Sequence, residues 1–309
     1  MKINIAFVIP LYNEEDVFEA LIGRLKKIVV DHKSLAFKFI LVDDGSTDAT
    51  KELLLNTATN SEHFKALILS RNFGHQIAVT AGLSVCEDYE TVMIIDGDLQ
   101  DPPELCIDFY NRLNEGYDVV YGIRKKRKES VVKRSSYYMF YRLLNRISGI
   151  HLPEDSGDFC MITNRIIRIM NAMPEQSRYL RGMRAWVGFK QIGFPYERQA
   201  RFAGEPKYNF KMLAGLAYNG IFNFSDYPIK LVTGLGAIGV SVSIIYFIYN
   251  LAIRLLSDEV PTGFTALVFL IILFGSIQLV FLGVLGEYII RIFFQSKNRP
   301  NFLIEKIIE

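Results

Sequence analysis

TVMIIDGDLQDPP, at residues 91–103, is the stretch on which the fold turns. Residues 91–95 are apolar or β-branched and have the length of a buried strand. The run stops at Asp96-Gly97-Asp98, and Pro102-Pro103 then opens a helix, since proline is tolerated in a first turn. The same unit recurs upstream. Residues 3–9 form an apolar run ending at Pro10, followed by an amphipathic helix over 14–29. Residues 37–42 end on Asp43-Asp44-Gly45-Ser46, with Ser46 or Thr47 placed to cap a helix through Leu53, Leu54 and Leu55. A third strand is expected over 66–69 with a helix over 74–86, and a fifth strand over 117–121. Strands alternating with helices give an α/β fold with a mostly parallel sheet covered on both faces. Ligands of such sheets bind outside the carboxyl ends of the strands. The polar clusters at Tyr12, Asp43 and Asp96 all fall at such ends.

The second half of the chain differs. Half of the 309 residues are hydrophobic, and they are unevenly spread. After Lys230, residues up to 253 carry no charge, and neither do residues 264–286. Each run exceeds the ~20 residues needed, at ~1.5 Å per residue, to cross a ~30 Å hydrocarbon core. The connection at 255–263 holds Asp258 and Glu259 but neither Lys nor Arg, whereas Lys207, Lys211 and Lys230 precede the pair and Arg291, Lys297 and Arg299 follow it. The positive-inside rule then places both ends of a membrane hairpin in the cytoplasm. Residues 208–223 read as an amphipathic helix, lying in the membrane interface or packed on its own domain. Between the halves, 131–147 reads as a helix, 156–162 and 191–196 as strands, and Arg124 to Lys128 as the start of a basic loop that attracts anionic lipid or is simply solvated. The leading apolar run is too short for a secretory leader, so the N-terminal domain is expected in the cytoplasm. Cys86, Cys106 and Cys160 have no metal-ligand spacing and read as reduced packing residues. The net charge of +2 gives no sign of a nucleic-acid partner.

Three clusters carry chemistry. Asp96 and Asp98, with Gln100 beside them, can hold a hard divalent cation, Mg²⁺ or Mn²⁺, that keeps some of its waters and bridges nucleotide phosphates. A carboxylate of Asp43 or Asp44 can accept a base N–H. Tyr12 can stack on a base, and Glu14 can bind base or ribose. Each cluster also reads as an ordinary strand-to-helix turn when taken alone.

In this order and spacing they resemble glycosyltransferase family 2, with its GT-A fold, and within it the polyprenyl-phosphate sugar transferases: bactoprenol glucosyltransferases and dolichol-phosphate mannose synthases. The resemblance is carried by VIPLYNEE at 8–15, VDDGSTD at 42–48, SRNFG at 70–74, DGDLQDPP at 96–103, VVYGIR at 119–124, SGDF at 156–159, YLRGMRAWVGF at 179–189, RFAGEPKY at 201–208 and FSDYP at 224–228. It implies a Rossmann-like GT-A catalytic domain over 1–208, an amphipathic interfacial helix and junction over 209–228, a transmembrane hairpin over 229–290 with spans of about 229–253 and 264–286, and a cytoplasmic tail over 291–309. By the same resemblance Pro10, Tyr12, Glu14 and Asp43 or Asp44 match the nucleotide pocket, and Asp96, Gly97, Asp98 and Gln100 the metal and diphosphate site. Arg124, Arg201 and Lys207 match phosphate-binding cations, and Asp158 the acidic residue near the acceptor. Asp158, Asp98 and Arg201 are the implied catalytic set. Pro206 stands where that family usually has Ser.

The implied reaction is inverting transfer of a hexose, glucose first among candidates, from a UDP-sugar to polyprenyl (undecaprenyl) phosphate at the inner or plasma membrane, for cell-envelope glycan modification. A homo-oligomer packed through small residues such as Gly239 and Ser243, and a flippase partner, are further expectations. The competing readings are a GDP-mannose or UDP-GlcNAc donor, or a non-catalytic scaffold that binds nucleotide-sugar. GLGAIG at 234–239 fits a dinucleotide fingerprint, but it lies inside a membrane span with no strand before it. His75, following Gly74 near a strand end, is expected to serve as a surface or capping residue, with a minor donor-site role as the alternative.

Overall fold

The computed structural model describes residues 4–125, 156–198, 222, 225, 227–257 and 263–309. The repeating unit appears as β1 (Ile5–Leu11), α1 (Glu15–Asp31), β2 (Phe37–Asp43), α2 (Thr50–Thr59), β3 (Phe64–Leu69), α3 (His75–Ser84) and β4 (Thr91–Ile94). A single 3-10 turn at Pro103–Leu105 leads into α4 (Cys106–Asn114), then β5 (Val119–Lys125). Further on come β6 (Ser156–Thr163), α5 (Asn164–Ala172), α6 (Leu180–Trp186) and β7 (Gln191–Glu197). Two long helices, α7 (Tyr227–Ser257) and α8 (Phe264–Ser296), precede a last strand, β8 (Ile304–Ile308).

The strands make one sheet in the order β7-β5-β6-β4-β1-β2-β3-β8. β4, β1, β2 and β3 are parallel neighbours. β6 runs antiparallel between β4 and β5, and β7 lies parallel to β5. All strands except β6 and β8 therefore point the same way, and their carboxyl ends share one edge with the start of β6. Both faces of the central strands are largely buried, which is why their sequences are near-continuous apolar runs rather than alternations, with Lys38 in β2 and Lys65 in β3 the charged residues inside them. On one face Phe7 and Phe39 stand 5.0 Å apart and Phe39 and Phe64 5.1 Å apart, centroid to centroid. On the other, Ala6, Val8, Ile40 and Val42 pack with Ala78, Val79 and Ala81 of α3. Each such buried aliphatic or aromatic side chain contributes ~1.5–3 kcal/mol. All three cysteines are free and buried, as packing residues should be.

The loops beyond β1 and β2 are laced together. Asn13 N donates to Ser46 Oγ at 3.0 Å, and Thr47 N donates to Asn13 Oδ1 at 2.8 Å. Glu15 and Asp48 each accept a backbone N–H from the other's loop. Ser46 and Thr47 are thereby used in the loop; the N-terminal N–H of α2 at Thr50 is taken by Asp48 Oδ1 at 3.0 Å instead. The start of the expected basic loop also differs: Arg124 and Lys125 extend β5, because β7 continues alongside to Glu197. The rest of that loop, the expected helix over 131–147, that over 208–223 except residue 222, and Arg201 and Lys207 lie outside the described residues.

α7 and α8 run for 31 and 33 residues, and within them 227–253 and 267–296 are long and apolar enough to cross a membrane. Their apolar side chains point outward; Ile245, Phe247, Leu279 and Ile292 are exposed. A continuous exposed apolar surface of this extent marks a membrane-associated protein. Tyr288 OH donates to Ser225 O at 3.2 Å, so the start of the hairpin lies beside its end. A Cβ on Gly239 would come within 3.0 Å of Phe274, so this small residue serves the close approach of α7 to α8. β8 then returns to the sheet and pairs antiparallel with β3.

Candidate active site

The carboxyl edge of the sheet gathers the acidic side chains that the sequence singles out. Close backbone approach makes this possible. A Cβ on Gly97 would fall 2.4 Å from Leu11 Cδ2 and 3.3 Å from Pro10 O, so the turn after β4 lies directly on the end of β1. Gly45, at φ +72°, lies so near the backbone of Arg71 and Asn72 that a Cβ would meet Asn72 N at 2.5 Å. Leu99 adopts φ 58° between Asp98 and Gln100 while buried. A left-handed non-glycine residue costs on the order of 1 kcal/mol, and such strain is typical of functional turns.

Asp43 and Asp44 are both buried. Both oxygens of Asp43 accept from Ser46 N, at 3.2 and 3.3 Å. Asp44 accepts from Phe73 N at 2.7 Å and Gly74 N at 2.9 Å, which holds the segment leading into α3. Burial raises the pKa of each above the usual carboxylate range. Both acids thus organise loops at the carboxyl edge of the sheet. Tyr12 is exposed and Glu14 half-buried at the end of β1, with Glu14 N donating to Thr50 Oγ1 at 2.9 Å.

Gly74 hands over to His75, the first residue of α3, and here the structure departs from expectation. His75 is not a surface residue: its Nε2 lies 3.5 Å from Asp96 Oδ1 and 3.6 Å from Asp158 Oδ2. Burial alone would lower its pKa, but the carboxylates of Asp158 and Asp96 outweigh it and push it up to about 9. His75 is therefore an imidazolium between two acids. Asp158, at the start of β6, is gripped by Arg181 of α6 and also accepts from Gln76 Nε2 at 3.2 Å. Burial would raise its pKa; Arg181 and His75 outweigh burial and hold it well below the usual carboxylate range.

Asp96 has the opposite character. Burial raises it, His75 only partly offsets this, and the charges of Asp101, Asp158 and Asp98 add to the rise, to about 6. Its Oδ1 is buried with no hydrogen-bond partner. Asp98 Oδ1 accepts from Gln100 N at 3.1 Å. Asp101 accepts from Tyr196 OH and from Arg198 Nε. Arg124 completes the group: its Nη2 would touch a Cβ on Gly157 at 3.1 Å, so the guanidinium lies against the residue before Asp158. Its Nε is buried without a hydrogen-bond partner.

These residues fit a hard divalent cation. The donors are carboxylate oxygens; Asp96 Oδ1 has no hydrogen-bond partner, and burial first, then the neighbouring acids, raises the pKa of Asp96, a cost a cation would relieve. Among the described residues no three His, Cys, Asp or Glu side chains form a ready-made cage. Two carboxylates suffice for Mg²⁺ or Mn²⁺ when waters and phosphate oxygens fill the remaining positions.

Four further residues of this cluster, Gln76, Asp101, Arg181 and Arg198, have no role assigned from sequence. Asp101 lies within DGDLQDPP and Arg181 within YLRGMRAWVGF, which marks their neighbourhoods; nothing local distinguishes Arg198 or Gln76.

Residues 6–169 match the family described as Glycosyl transferase family 2. The chain belongs to glycosyltransferase family 2. The sheet and its covering helices are that family's Rossmann-like GT-A domain, and the protein is a glycosyltransferase. Relatives match it over nearly full length. An uncharacterised glycosyltransferase of Bacillus subtilis, YkcC, is 39% identical, covering 98% of this chain and 94% of its own. A prophage bactoprenol glucosyl transferase homologue of Escherichia coli is 32% identical, covering 98% and 99%. The bactoprenol glucosyl transferase of Shigella phage SfII is 32% identical, covering 98% of each.

Proposed function

We propose that this glycosyltransferase moves a hexose, glucose first among candidates, from a UDP-sugar to a polyprenyl phosphate, with inversion at the anomeric carbon. Its catalytic domain and both ends of the hairpin face the cytoplasm. The acceptor is supported by the names of the relatives similar to it over nearly their whole length, and by two long apolar helices in the same chain as an acidic diphosphate-type site. The observation that carries the reading is the line of charge from Asp98 and Asp96 through His75 to Asp158 and Arg181 along one sheet edge. It offers a donor subsite and an acceptor subsite in contact.

The chemistry requires little proton transfer. A phosphate monoester is already ionised near neutral pH. One of its oxygens attacks the anomeric carbon in line, the bond from that carbon to the nucleoside diphosphate breaks, and the leaving diphosphate keeps the electron pair. Asp96 and Asp98 would hold a divalent cation, whose chemistry there would be to neutralise charge on that leaving group. Tyr12, Glu14 and Asp43 or Asp44 seat the nucleotide, Pro10 and Gly97 shape its floor, and Arg124, with Arg201 and Lys207, binds phosphate. Asp158, ion-paired and of low basicity, orients the acceptor side rather than removing a proton. Positioning and electrostatics account for most of the acceleration.

The test is transfer of radiolabelled sugar to undecaprenyl phosphate by the purified full chain, across a panel of UDP- and GDP-sugars, with and without EDTA. Transfer that requires both lipid and divalent cation supports the reading. Nucleotide-sugar binding with no transfer to any lipid phosphate would favour a non-catalytic scaffold.

A further inference from the structure

Arg198 follows β7 directly and reaches over the acidic edge. Its Nε donates to Asp101 Oδ1 at 3.1 Å. Its Nη2 stands 3.9 Å from Asp96 Oδ2 and 3.9 Å from Asp98 Oδ2. The first contact is a hydrogen bond. The other two are too long to be, and balance charge without a directional bond that must break. Asp101 is itself fixed by Tyr196 OH and is almost fully buried. One end of the guanidinium is therefore anchored, and the other rests against the carboxylates assigned above to a cation.

We propose that Arg198 is a diphosphate-binding residue that exchanges partners. In the donor-free protein its Nη2 end neutralises Asp96 and Asp98. When a nucleoside diphosphate and its cation occupy the site, it pivots about Asp101 onto a phosphate oxygen. The inference rests on the glycosyl-transfer reading. A divalent cation and a guanidinium repel one another across the same two carboxylates. The diphosphate supplies the negative charge that lets both remain, and a planar guanidinium suits phosphate oxygens. Arg198 thus opposes binding of the cation alone and favours cation and nucleotide together, which makes the two ligands positively coupled.

The experiment measures Mn²⁺ binding to the full chain in detergent by the electron paramagnetic resonance of free Mn²⁺, alone and with UDP or GDP. The proteins are wild type, Arg198→Gln and Arg198→Lys. Arg198→Gln should bind Mn²⁺ alone about fivefold tighter, the scale of one lost ion-pair competitor. With Mn²⁺ present it should bind the nucleoside diphosphate about tenfold weaker, the scale of one charged hydrogen bond. Arg198→Lys keeps the charge and serves as the variant safest for folding; it should leave Mn²⁺ affinity unchanged and still weaken nucleotide. A merely structural role would move both affinities in the same direction. If wild type binds both ligands and the substitutions shift neither, or weaken both, the assignment of Arg198 is wrong while the glycosyl-transfer reading stands. If wild type binds neither Mn²⁺ nor nucleotide, both are overturned.

Discussion

Arg181 holds Asp158 in a two-bonded grip, Nε to Oδ1 at 2.8 Å and Nη2 to Oδ2 at 3.0 Å. The carboxylate is almost fully buried, and removing one partner of a buried pair leaves an uncompensated charge. Arg181→Ala should therefore destabilise the protein by ~3 kcal/mol. The sign with pH follows from the low folded pKa of Asp158. Its stabilisation is present above the unfolded value of ~3.9 and is lost as pH falls through the folded value. Thermal unfolding of wild type and Arg181→Ala from pH 6 down to about 2.5 should show the gap between them shrinking below about pH 4. A gap constant with pH would mean that the pair does not contribute through charge.

The same grip separates Asp158 from Asp98 in function. A carboxylate committed to Arg181 and Gln76 is a poor base, whereas Asp98 is proposed above to serve the developing diphosphate charge. Asp98→Ala should lower turnover by ~10²–10³, the scale of losing one preorganised electrostatic contact. Asp158→Asn, compared in the same radiolabel assay, should lose less. An inactive Asp158→Asn beside an active Asp98→Ala would reverse the two roles.

Asp96 and His75 set the pH dependence of cation binding. Asp96 is raised to about 6, so the stability linked to its proton is present below the unfolded value of ~3.9 and lost as pH rises through about 6. A cation replaces that proton, so the stabilisation by Mn²⁺ should grow between pH 5 and 7. His75, raised to about 9, contributes stability that is present below ~6.5 and lost as pH rises through about 9. Thermal shifts with and without Mn²⁺ from pH 5 to 9.5 read both limbs. Asp96→Asn should flatten the first and His75→Gln the second; wild-type curves with neither limb would refute the assignments.

The parts of this site legible in the sequence were those where a local pattern and a distant need coincide. The strands over 5–11, 37–43 and 91–94 are readable because burial on both faces leaves few polar positions, Lys38, Asp43 and Thr91 being the exceptions. Asp96 and Asp98 are readable because paired acids directly follow such a strand. The grip of Arg181 on Asp158, the pairing of His75 with both acids and the reach of Arg198 to Asp101 are not, because each joins loops far apart in the chain. An Arg on a short helix has no local mark telling a solvated charge from an ion-paired one. The antiparallel insertion of β6 between β4 and β5 is likewise a matter of long-range pairing, which strand pattern alone leaves open.

Two glycines test whether loop contact or loop flexibility holds the edge together. At Gly97 an added methyl meets Leu11 Cδ2, a side-chain end that can shift, and Pro10 O, which cannot. At Gly45 it meets the backbone of Arg71 and Asn72 and also faces a positive φ. Overpacking of this kind costs typically ~1–3 kcal/mol. Gly45→Ala should therefore lower the melting temperature more than Gly97→Ala. Gly97→Ala should cost more in Mn²⁺ affinity, because it displaces the turn carrying Asp96 and Asp98. Equal losses in both readouts would indicate general unfolding of the edge instead.

β8 ties the end of the chain back to the sheet beyond the membrane hairpin. Ile308 pairs with Ala66 and Ile304 with Leu69, Ser70 N donates to Leu303 O at 3.0 Å, and Lys51 meets Glu305 at 3.0 Å. That ion pair is exposed and worth little. The weight falls on the backbone ladder and on covering the edge of β3, whose residues are buried and, Lys65 apart, apolar. Ser70 also begins the segment whose Phe73 and Gly74 amides hold Asp44, so the strand supports the nucleotide side of the edge as well. Removing residues 303–309 should expose an unpaired apolar strand, a template for intermolecular pairing. The shortened chain in detergent should aggregate on gel filtration and exchange the β3 amides faster in hydrogen-exchange mass spectrometry, while Glu305→Gln should leave both unchanged. A truncated protein that stays monodisperse with protected β3 amides would show that the strand is dispensable to the edge.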